Sequence, residues 1–223
     1  MSESLGVAVL ASGSGTNLQA LVDRLHSRSD VAVHIACVIG SRPGIGALER
    51  ASGCDVPTYV HVPGEVGEEE LLQVLEDSGA GLVILAGWLK LIPSSVVRAF
   101  RGRMINIHPA LLPAFGGPGM YGRLVHEAVV ASGVRVSGAT VHFVDEIYDH
   151  GAIIAQWPVP VLEGDDAKAL AGRVLAVEHR LLPAVVLAFA EGRFELTSSG
   201  CVAWVNPWFS AETFTMPSLK EAD

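Results

Sequence analysis

Cysteine is scarce in this chain, and the scarcity restricts the kind of protein it can be. The 223 residues contain three cysteines, Cys37, Cys54 and Cys201, and no two of them form a CxxC pair. An odd number without paired spacing disfavours a disulfide framework or a zinc ribbon and favours a reducing compartment. Cys37 lies within an apolar run, so we expect it to pack in the core.

Basic residues are also few. Lysine and arginine total 15 against 24 acidic residues, which gives a net charge of −9, and the basic residues form no stripe. Nucleic-acid backbones are bound through clustered positive charge, so we expect no nucleic-acid partner. Half of the residues are hydrophobic and 17% are charged, a composition that supports a folded core rather than disorder.

Long hydrophobic runs and targeting signals are missing. The longest apolar run, near residues 184–190, follows a proline and is too short to cross a bilayer. The first residues lack the basic region of a signal peptide. We therefore expect a cytoplasmic protein that acts on small molecules and has no membrane partner. The sequence leaves open whether it is a monomer or a homodimer.

Several catalytic motifs are absent as well. There is no G-x-S-x-G nucleophile elbow, no cysteine in a catalytic motif and no HExxH. The eight histidines are scattered without metal-ligand spacing, so we expect no metal. These absences favour direct transfer between two bound substrates over a mechanism that uses a covalent enzyme intermediate.

The segments that are present alternate between apolar strands and helices. In the first half we predict strands at residues 7–11, 31–39, 58–60, 82–86 and 104–107, and helices at residues 17–25, 45–52 and 68–77. Strands that are apolar on both faces and separated by helices indicate an α/β fold, in which helices flank a mostly parallel central sheet.

The second half departs from this alternation. Two longer strands, at residues 139–144 and 152–161, are joined by an acidic loop and predict an antiparallel extension of the sheet. A helix follows over residues 166–190, capped by Asp165 or Asp166. Pro183 lies inside this helix and predicts a kink or a break. We expect the tail after residue 198 to be irregular, with one edge strand.

A glycine-rich turn joins the first strand to the first helix. Gly13, Gly15, Thr16 and Asn17 lie where free N–H groups and the helix dipole favour an anion, commonly a phosphate. A dinucleotide fingerprint needs a third glycine where Leu18 stands, and a Walker loop needs a Gly-Lys-Ser/Thr sequence that is absent. We favour a phosphate monoester site, with a plain tight turn as the alternative.

The most informative segment is Asn106 to Pro113, which follows a predicted strand. Asn106 and His108 project from one face of that strand, and the following prolines force the chain to leave it. An amide donor beside an imidazole suits a reaction that places negative charge on a carbonyl oxygen while a leaving nitrogen takes a proton. The alternative is a core histidine bonded to a backbone carbonyl.

A carboxylate close to His108 would favour its imidazolium form. The acidic loop offers Asp145, Glu146 and Asp149, of which Asp149 is nearest to the turn glycine Gly151. We therefore predict a catalytic trio of Asn106, His108 and Asp149, which the fold must bring together. The alternative for the three acidic residues is a solvated hairpin loop.

The chain resembles the glycinamide ribonucleotide formyltransferases, a folate-dependent family of purine synthesis. The matching segments, in family order, are residues 11–19 (ASGSGTNLQ), 85–88 (LAGW), 106–113 (NIHPALLP), 141–145 (VHFVD), residue 149 (D) and residues 178–179 (EH). The resemblance implies a single formyltransferase domain over residues 1–223. Residues 1–101 would form its Rossmann-like, phosphate-binding half, and residues 102–223 its catalytic and folate-binding half.

The same resemblance implies a reaction in which the amine of glycinamide ribonucleotide attacks the formyl carbon of its cosubstrate, 10-formyltetrahydrofolate. Asn106 would bond the formyl oxygen, and His108 would stabilise the tetrahedral adduct and protonate the departing nitrogen. Asp149 would keep His108 charged. The glycine turn would hold the phosphate, and Glu178 the ribose hydroxyls. The residues implied for folate binding are Leu89, Lys90, Leu91, Ile92, Asn106, Asp145, Glu146, Ile147 and Tyr148.

Two stretches depart from the family pattern. Residues 116–122 (GGPGMYG) are richer in glycine and longer than in some relatives, and we interpret them as a mobile lid. An arginine that some relatives use as a folate contact is missing at residues 64–67 (GEVG), so Lys90 is the substitute considered for the glutamate tail.

Other proteins share some of these signals. A formyltetrahydrofolate hydrolase would carry an additional N-terminal regulatory domain, and a methionyl-tRNA formyltransferase a basic C-terminal domain. We expect neither in this protein. A non-catalytic module that binds a phosphorylated sugar or a folate would keep the glycine turn, but it would have no use for the trio.

Overall fold

A seven-stranded sheet forms the centre of the protein in the computed structural model, which describes residues 4–64 and 67–205. Its strands are β1 (Leu5–Ala11), β2 (Val33–Gly40), β3 (Thr58–Val60), β4 (Leu82–Leu85), β5 (Met104–His108), β6 (Val136–Phe143) and β7 (Ile153–Pro160). In the order β3-β2-β1-β4-β5-β6-β7, the first five strands run parallel and the last two antiparallel. The predicted fold class is confirmed.

Helices pack on both faces of this sheet. They are α1 (Thr16–Leu21), which continues as a π-helical turn over Val22–His26, then α2 (Gly46–Ser52), α3 (Glu68–Asp77), α4 (Ser94–Ala99), α5 (Arg123–Ser132) and α6 (Ala167–Ala190). The bounds of α3 are those predicted. Asp166 caps α6 by accepting a 2.7 Å hydrogen bond from the N–H of Ala169. The helices α4 and α5 were not predicted.

The sequence predicts a kink or a break at Pro183, and the break is wrong, because α6 continues through the proline to Ala190. A proline in a helix removes one backbone hydrogen bond and crowds the preceding turn. Leu182 and Val186 on either side of it are fully buried in the core. The burial of these side chains therefore keeps α6 continuous at Pro183, where the proline alone favours a break.

A short antiparallel pair follows α6. Its strands are β8 (Phe194–Leu196) and β9 (Val202–Trp204), which form a separate sheet. The expected edge strand after residue 198 corresponds to β9, and the ring of Trp204 lies 4.8 Å from that of Phe194. The expectations for residues 65 and 66, in the stretch without the arginine, and for the tail beyond residue 205 lie outside the described residues.

The central strand β1 supplies both layers of the core. Val7, Val9 and Ala11 pack in the layer that contains α1, α2, α5 and α6. Ala8 and Leu10 pack in the opposite layer with α3 and α4. Successive side chains of a strand point to opposite faces, so a run that is apolar at every position requires a sheet covered on both sides.

The strand order fixes where a ligand site opens. The chain moves from β1 outward to β2 and β3 and then returns to place β4 on the other side of β1. The loops that leave β1 and β4 therefore diverge, which leaves a crevice at the carboxyl ends of these strands. The N–H of Ser12 bonds the carbonyl of Gly87 at 3.1 Å and joins the two loops at the base of that crevice.

Gly138 on β6 is a position where two backbones approach too closely for a side chain. A Cβ there would lie 2.1 Å from the carbonyl oxygen of Trp157 and 2.7 Å from the side chain of Leu111. We predict that Gly138→Ala lowers the free energy of unfolding by about 1–3 kcal/mol, measured by urea denaturation, because the strands must separate to relieve the overlap.

The matched control is Gly172→Ala on α6, where an added Cβ would meet nothing within 4 Å. Alanine is the better helix former, so this variant should be more stable than the wild type by roughly 0.5–1 kcal/mol. Equal stabilities for the two variants would contradict the close approach at Gly138.

Candidate active site

A cavity of about 610 Å³ opens at the carboxyl ends of β1, β4 and β5. Cavities of this size at the divergence of strand loops are the usual ligand sites of α/β folds. Among the residues that line it are the three members of the predicted trio and all of the predicted phosphoribosyl contacts, Gly13, Gly15, Thr16, Asn17 and Glu178. The structure therefore gathers these two groups of residues around one space.

Two adjacent strands supply the polar centre of this cavity. Asn106 and His108 lie on β5, two residues apart and hence on the same face. In the antiparallel pairing of β5 with β6, Asn106 lies opposite His142 and His108 opposite Thr140. His108 is only 3% exposed, so its ring is held within the protein rather than in solvent.

The loop after β6 brings Asp149 to this pair. Its Oδ1 atom lies 3.5 Å from Nδ1 of His108 and 3.4 Å from Nδ2 of Asn106. Its Oδ2 atom accepts a 2.9 Å hydrogen bond from the N–H of Gly117. Asp149 has a positive φ of 53°, a conformation that costs a non-glycine residue energy and is maintained by its surroundings. The other two acidic candidates of this loop contact different residues: Asp145 lies 2.7 Å from His150, and Glu146 lies 3.9 Å from Arg98.

The two nitrogens of the His108 ring have different partners. Nε2 lies 2.8 Å from the carbonyl oxygen of Phe115, which can only accept, so Nε2 carries a proton. Nδ1 is the atom that faces Asp149. His108 is therefore bonded to a backbone carbonyl on one side of its ring, as the alternative interpretation expected. The other side of the ring faces a carboxylate.

The surroundings of Asp149 keep its carboxyl group ionised. Burial opposes ionisation, but the neighbouring His108 and His142 rings and the N–H of Gly117 together favour the anion more strongly, so the pKa of Asp149 lies well below its usual range. A buried carboxylate with this set of donors is a permanent negative charge at neutral pH. It can therefore stabilise positive charge on the neighbouring ring.

A buried polar network fixes the chain as it leaves β5. The hydroxyl of Thr140 donates to the carbonyl of Ala110 at 2.7 Å and accepts from the N–H of Leu112 at 3.0 Å. Gln156 on β7 donates to the carbonyl of Leu112 at 2.8 Å. These bonds satisfy backbone groups that no strand partner reaches, and they hold the segment after His108 against the antiparallel strands.

The glycine turn after β1 is built against α2. A Cβ at Gly15 would lie 2.6 Å from Cα of Ala47, and φ at Gly15 is +74°, so both space and backbone require glycine. Arg50 of α2 donates from Nε to the carbonyl of Ser14 at 2.8 Å and supports the turn from behind. The first N–H groups of α1 have no intrahelical acceptor and are therefore available to a ligand.

Asn17 and Glu178 form a pair at the same end of the cavity. Nδ2 of Asn17 donates to Oε2 of Glu178 at 2.7 Å, while Oδ1 of Asn17 is buried and finds no hydrogen-bond partner among the described residues. Burial raises the pKa of Glu178, although the hydrogen bond from Asn17 opposes this effect. The pair therefore offers acceptors to a ligand that carries hydroxyl donors.

A smaller cavity, of about 50 Å³, adjoins the first and shares Trp88, Asn106, Tyr148 and Asp149 with it. Most of the residues predicted for folate binding line this space, namely Lys90, Leu91, Ile92, Asn106, Asp145, Ile147 and Tyr148. Leu89 lines the larger cavity instead. Glu146 lines neither and lies 3.9 Å from Arg98 at the surface.

The glycine-rich stretch predicted as a lid lies against the site. Residues 117–123 line the larger cavity, and a Cβ at Gly116 would lie 2.5 Å from the side chain of Leu112 and 3.1 Å from that of Asp149. Together with the bond from Gly117 to Asp149, this close packing makes the stretch one wall of the cavity.

Some cavity residues were not predicted from the sequence. His142 lies opposite Asn106, and Trp88 and His126 line the larger cavity. The signal for His142 was available in principle, because residues paired across antiparallel strands share a face. Among residues 4–64 and 67–205, no group of three or more His, Cys, Asp or Glu is arranged to hold a metal ion. The same residues include no helix with both the length and the apolar character to cross a membrane.

Comparisons with known proteins agree on one family. The formyl transferase family model matches residues 5–186. The chloroplastic phosphoribosylglycinamide formyltransferase of Arabidopsis thaliana is 42% identical over 200 residues, which are 87% of this chain and 68% of that protein. The trifunctional purine biosynthetic protein adenosine-3 of Bos taurus is 39% identical over 204 residues, which cover 89% of this chain but only 20% of that protein.

A solved structure extends the match to three dimensions. The phosphoribosylglycinamide formyltransferase from Anaplasma phagocytophilum superposes with a TM-score of 0.84 at 36% identity. The superposition covers 92% of this chain and 95% of the other, so the likeness extends over nearly the whole of both chains.

The ionisation of Asp149 predicts a pH dependence of stability. Its pKa is lower in the folded protein than the usual value near 4, so its contribution is fully present above about pH 5 and is lost as the pH falls. We predict that Asp149→Asn is less stable than the wild type at pH 7 and that the difference in Tm narrows on acidification towards about pH 3. A difference that stays constant over this range would show that the charge is not stabilised by folding.

Proposed function

Because this chain belongs to the formyl transferase family and catalyses formyl transfer in purine biosynthesis, we propose that it transfers the group directly from 10-formyltetrahydrofolate to the amine of glycinamide ribonucleotide. The observation that supports this mechanism is the meeting of Asn106, His108 and Asp149 at the junction of two cavities. One cavity adjoins the glycine turn, and the other is lined by the residues considered for folate binding.

The Asn106 amide supplies the electrostatic part of the reaction. The amine nitrogen attacks the formyl carbon, and the carbonyl electron pair moves to oxygen. A hydrogen-bond donor aimed at that oxygen stabilises the developing charge, and such a donor is commonly worth a hundredfold or more in rate, about 3 kcal/mol. Asn106 carries Nδ2–H groups at the junction of the two cavities, where the formyl oxygen would lie.

His108 supplies the proton. When the tetrahedral adduct collapses, the bond from the formyl carbon to the folate nitrogen breaks, and that nitrogen must gain a proton to leave as an amine. The Nε2 proton of His108 is committed to Phe115, so the transferable proton is the one on Nδ1, beside Asp149. The attacking amine releases a proton in the same reaction, which restores the imidazolium.

Asp149 makes the protonated ring favourable. Its carboxylate lies 3.5 Å from Nδ1 of His108 in a site that excludes most water, where an opposite charge has a stronger effect than at a surface. We assign Asp149 to the stabilisation of the imidazolium and to the orientation of the ring.

The phosphoribosyl part of the substrate is assigned to the other end of the larger cavity. The turn from Gly13 through Gly15 to Thr16 and Asn17 would bind the phosphate through backbone N–H groups and the Thr16 hydroxyl. Two ribose hydroxyls would then donate to Glu178 and to the unpartnered Oδ1 of Asn17. The Asn17 side chain already donates to Glu178, so we assign this side chain to the ribose and only the backbone N–H of Asn17 to the phosphate.

The folate is assigned to the smaller cavity and its surroundings. Leu91 and Ile92 give this space an apolar wall, and Tyr148 and Asp149 connect it to the reacting centre. Lys90 is the cation that we assign to the glutamate tail. The three cysteines are all free, which fits action in a reducing compartment such as the cytoplasm, and we propose that the protein acts there as a monomer or a homodimer.

His108→Ala tests the assignment of the proton donor. We predict that kcat falls by at least about a hundredfold, since a positioned acid–base group contributes about this much or more. The measurement is formyl transfer from 10-formyltetrahydrofolate to glycinamide ribonucleotide with purified protein. His34→Ala is the matched control, because His34 is an exposed histidine far from the cavity. Retention of activity in His108→Ala would remove this residue from the mechanism.

Glu178→Ala tests the ribose assignment. Without this carboxyl group, a ribose hydroxyl loses its acceptor at a cost of about 1–3 kcal/mol, so KM for glycinamide ribonucleotide should rise by roughly fivefold or more. KM for the folate should stay unchanged, because Glu178 lines only the larger cavity. Glu163→Ala, in an exposed loop, serves as the control. An equal rise in both KM values would contradict the assignment.

A further inference from the structure

We propose that His142 is a positioning residue that holds the Asn106 amide with its N–H groups directed at the formyl oxygen. The inference rests on the proposed function and extends it to a residue that has no role in the mechanism above. His142 touches neither of the reacting groups in that mechanism, and it would act through its contact with Asn106.

The contact between the two side chains is close and buried. His142 lies directly opposite Asn106 in the pairing of β5 with β6, and its Nε2 atom lies 3.0 Å from Nδ2 of Asn106. The ring is only 2% exposed, and its neighbours Val141 and Phe143 are equally buried. The ring therefore has little freedom to move away from Asn106.

A backbone carbonyl determines which nitrogen of His142 carries the proton. Nδ1 lies 2.8 Å from the carbonyl oxygen of Phe143, and a carbonyl oxygen can only accept. Nδ1 of His142 is therefore the donor, and in the neutral ring Nε2 has a free lone pair. This tautomer makes Nε2 an acceptor for the Asn106 amide.

A competing role for Nε2 as a donor to Asp149 is less favourable. The distance from Nε2 to Oδ1 of Asp149 is 3.7 Å, which is beyond a good hydrogen bond, whereas the distance to Asn106 is 3.0 Å. A proton on Nε2 would also point towards the N–H groups of Asn106. The shorter contact thus assigns His142 as a neutral acceptor and leaves Asp149 to pair with His108.

The orientation of Asn106 follows from this bond. One hydrogen on Nδ2 goes to His142, and the other points along the longer, 3.4 Å contact to Asp149. A formyl oxygen would replace that long contact with a better one. Without an acceptor at His142, the amide can rotate by half a turn and present its own oxygen to the formyl oxygen, which repels it. His142 therefore selects the productive orientation.

Two substitutions separate this role from simple packing. In His142→Asn, the side-chain NH2 can still donate to Phe143, but no group reaches the position of Nε2. In His142→Gln, the longer side chain can place its amide oxygen there. We predict that His142→Asn lowers kcat by about tenfold or more, with KM for glycinamide ribonucleotide within roughly twofold of the wild type. His142→Gln should recover most of that loss.

A double-mutant cycle with Asn106→Ala tests whether the effect passes through Asn106. If His142 acts by orienting the amide, adding His142→Asn to Asn106→Ala should lower kcat no further. The proposal would be overturned if the fold-losses of kcat in the two single variants multiplied in the double variant. It would also be overturned if the His142→Asn enzyme had wild-type kcat. A His142→Gln enzyme no more active than His142→Asn would overturn it as well.

A measurement on the wild-type protein tests the proposal even if the variants fail to fold, because it needs neither a variant nor activity. In ¹⁵N NMR of the wild-type protein near neutral pH, Nδ1 of His142 should be protonated and Nε2 unprotonated. A protonated Nε2 would overturn the proposal even if formyl transfer is observed. A wild-type protein without formyl transfer would instead refute the proposed function, since the tautomer is read without substrates.

Discussion

The carboxylate of Asp149 lies within reach of side chains from distant parts of the chain, and the arrangement of the site depends on its negative charge. One oxygen faces His108 and Asn106, and the other is held by the backbone of Gly117. Burial alone would raise the pKa of such a group, but the donors around it keep this pKa low. The anion in turn favours a positive ring at His108, which is the proton donor in the proposed mechanism.

Two adjacent strands and one loop of the fold position these groups. Asn106 and His108 are carried by the last parallel strand, and β6 crosses beside it in the opposite direction, so the loop that carries Asp149 returns to the same edge. Thr140 and Gln156 then fix the chain that leaves β5. The antiparallel extension therefore does more than enlarge the sheet. It supplies His142, the loop that carries Asp149, and the buried side chains of Thr140 and Gln156.

Much of this arrangement could be predicted from the sequence because local patterns carry it. Apolar runs bounded by turn residues located the parallel strands, and the spacing of Asn106 and His108 placed both on one face. Other features depend on tertiary contacts that no local pattern reports. The continuity of α6 through Pro183 depends on buried neighbours, and the partners of His142 depend on strand register. The position of Glu146, outside both cavities, depends on the path of an exposed loop.

In the proposed mechanism, Asp149 pairs with His108 while Asn106 donates to the carbonyl that reacts. A crystal structure with glycinamide ribonucleotide and a stable analogue of the formyl donor would show both contacts. We expect a carbonyl oxygen about 3 Å from Nδ2 of Asn106 and an Asp149 carboxylate within about 3.5 Å of Nδ1 of His108. A bound complex in which the carboxylate has turned away from the ring, or in which the carbonyl meets a different donor, would contradict it.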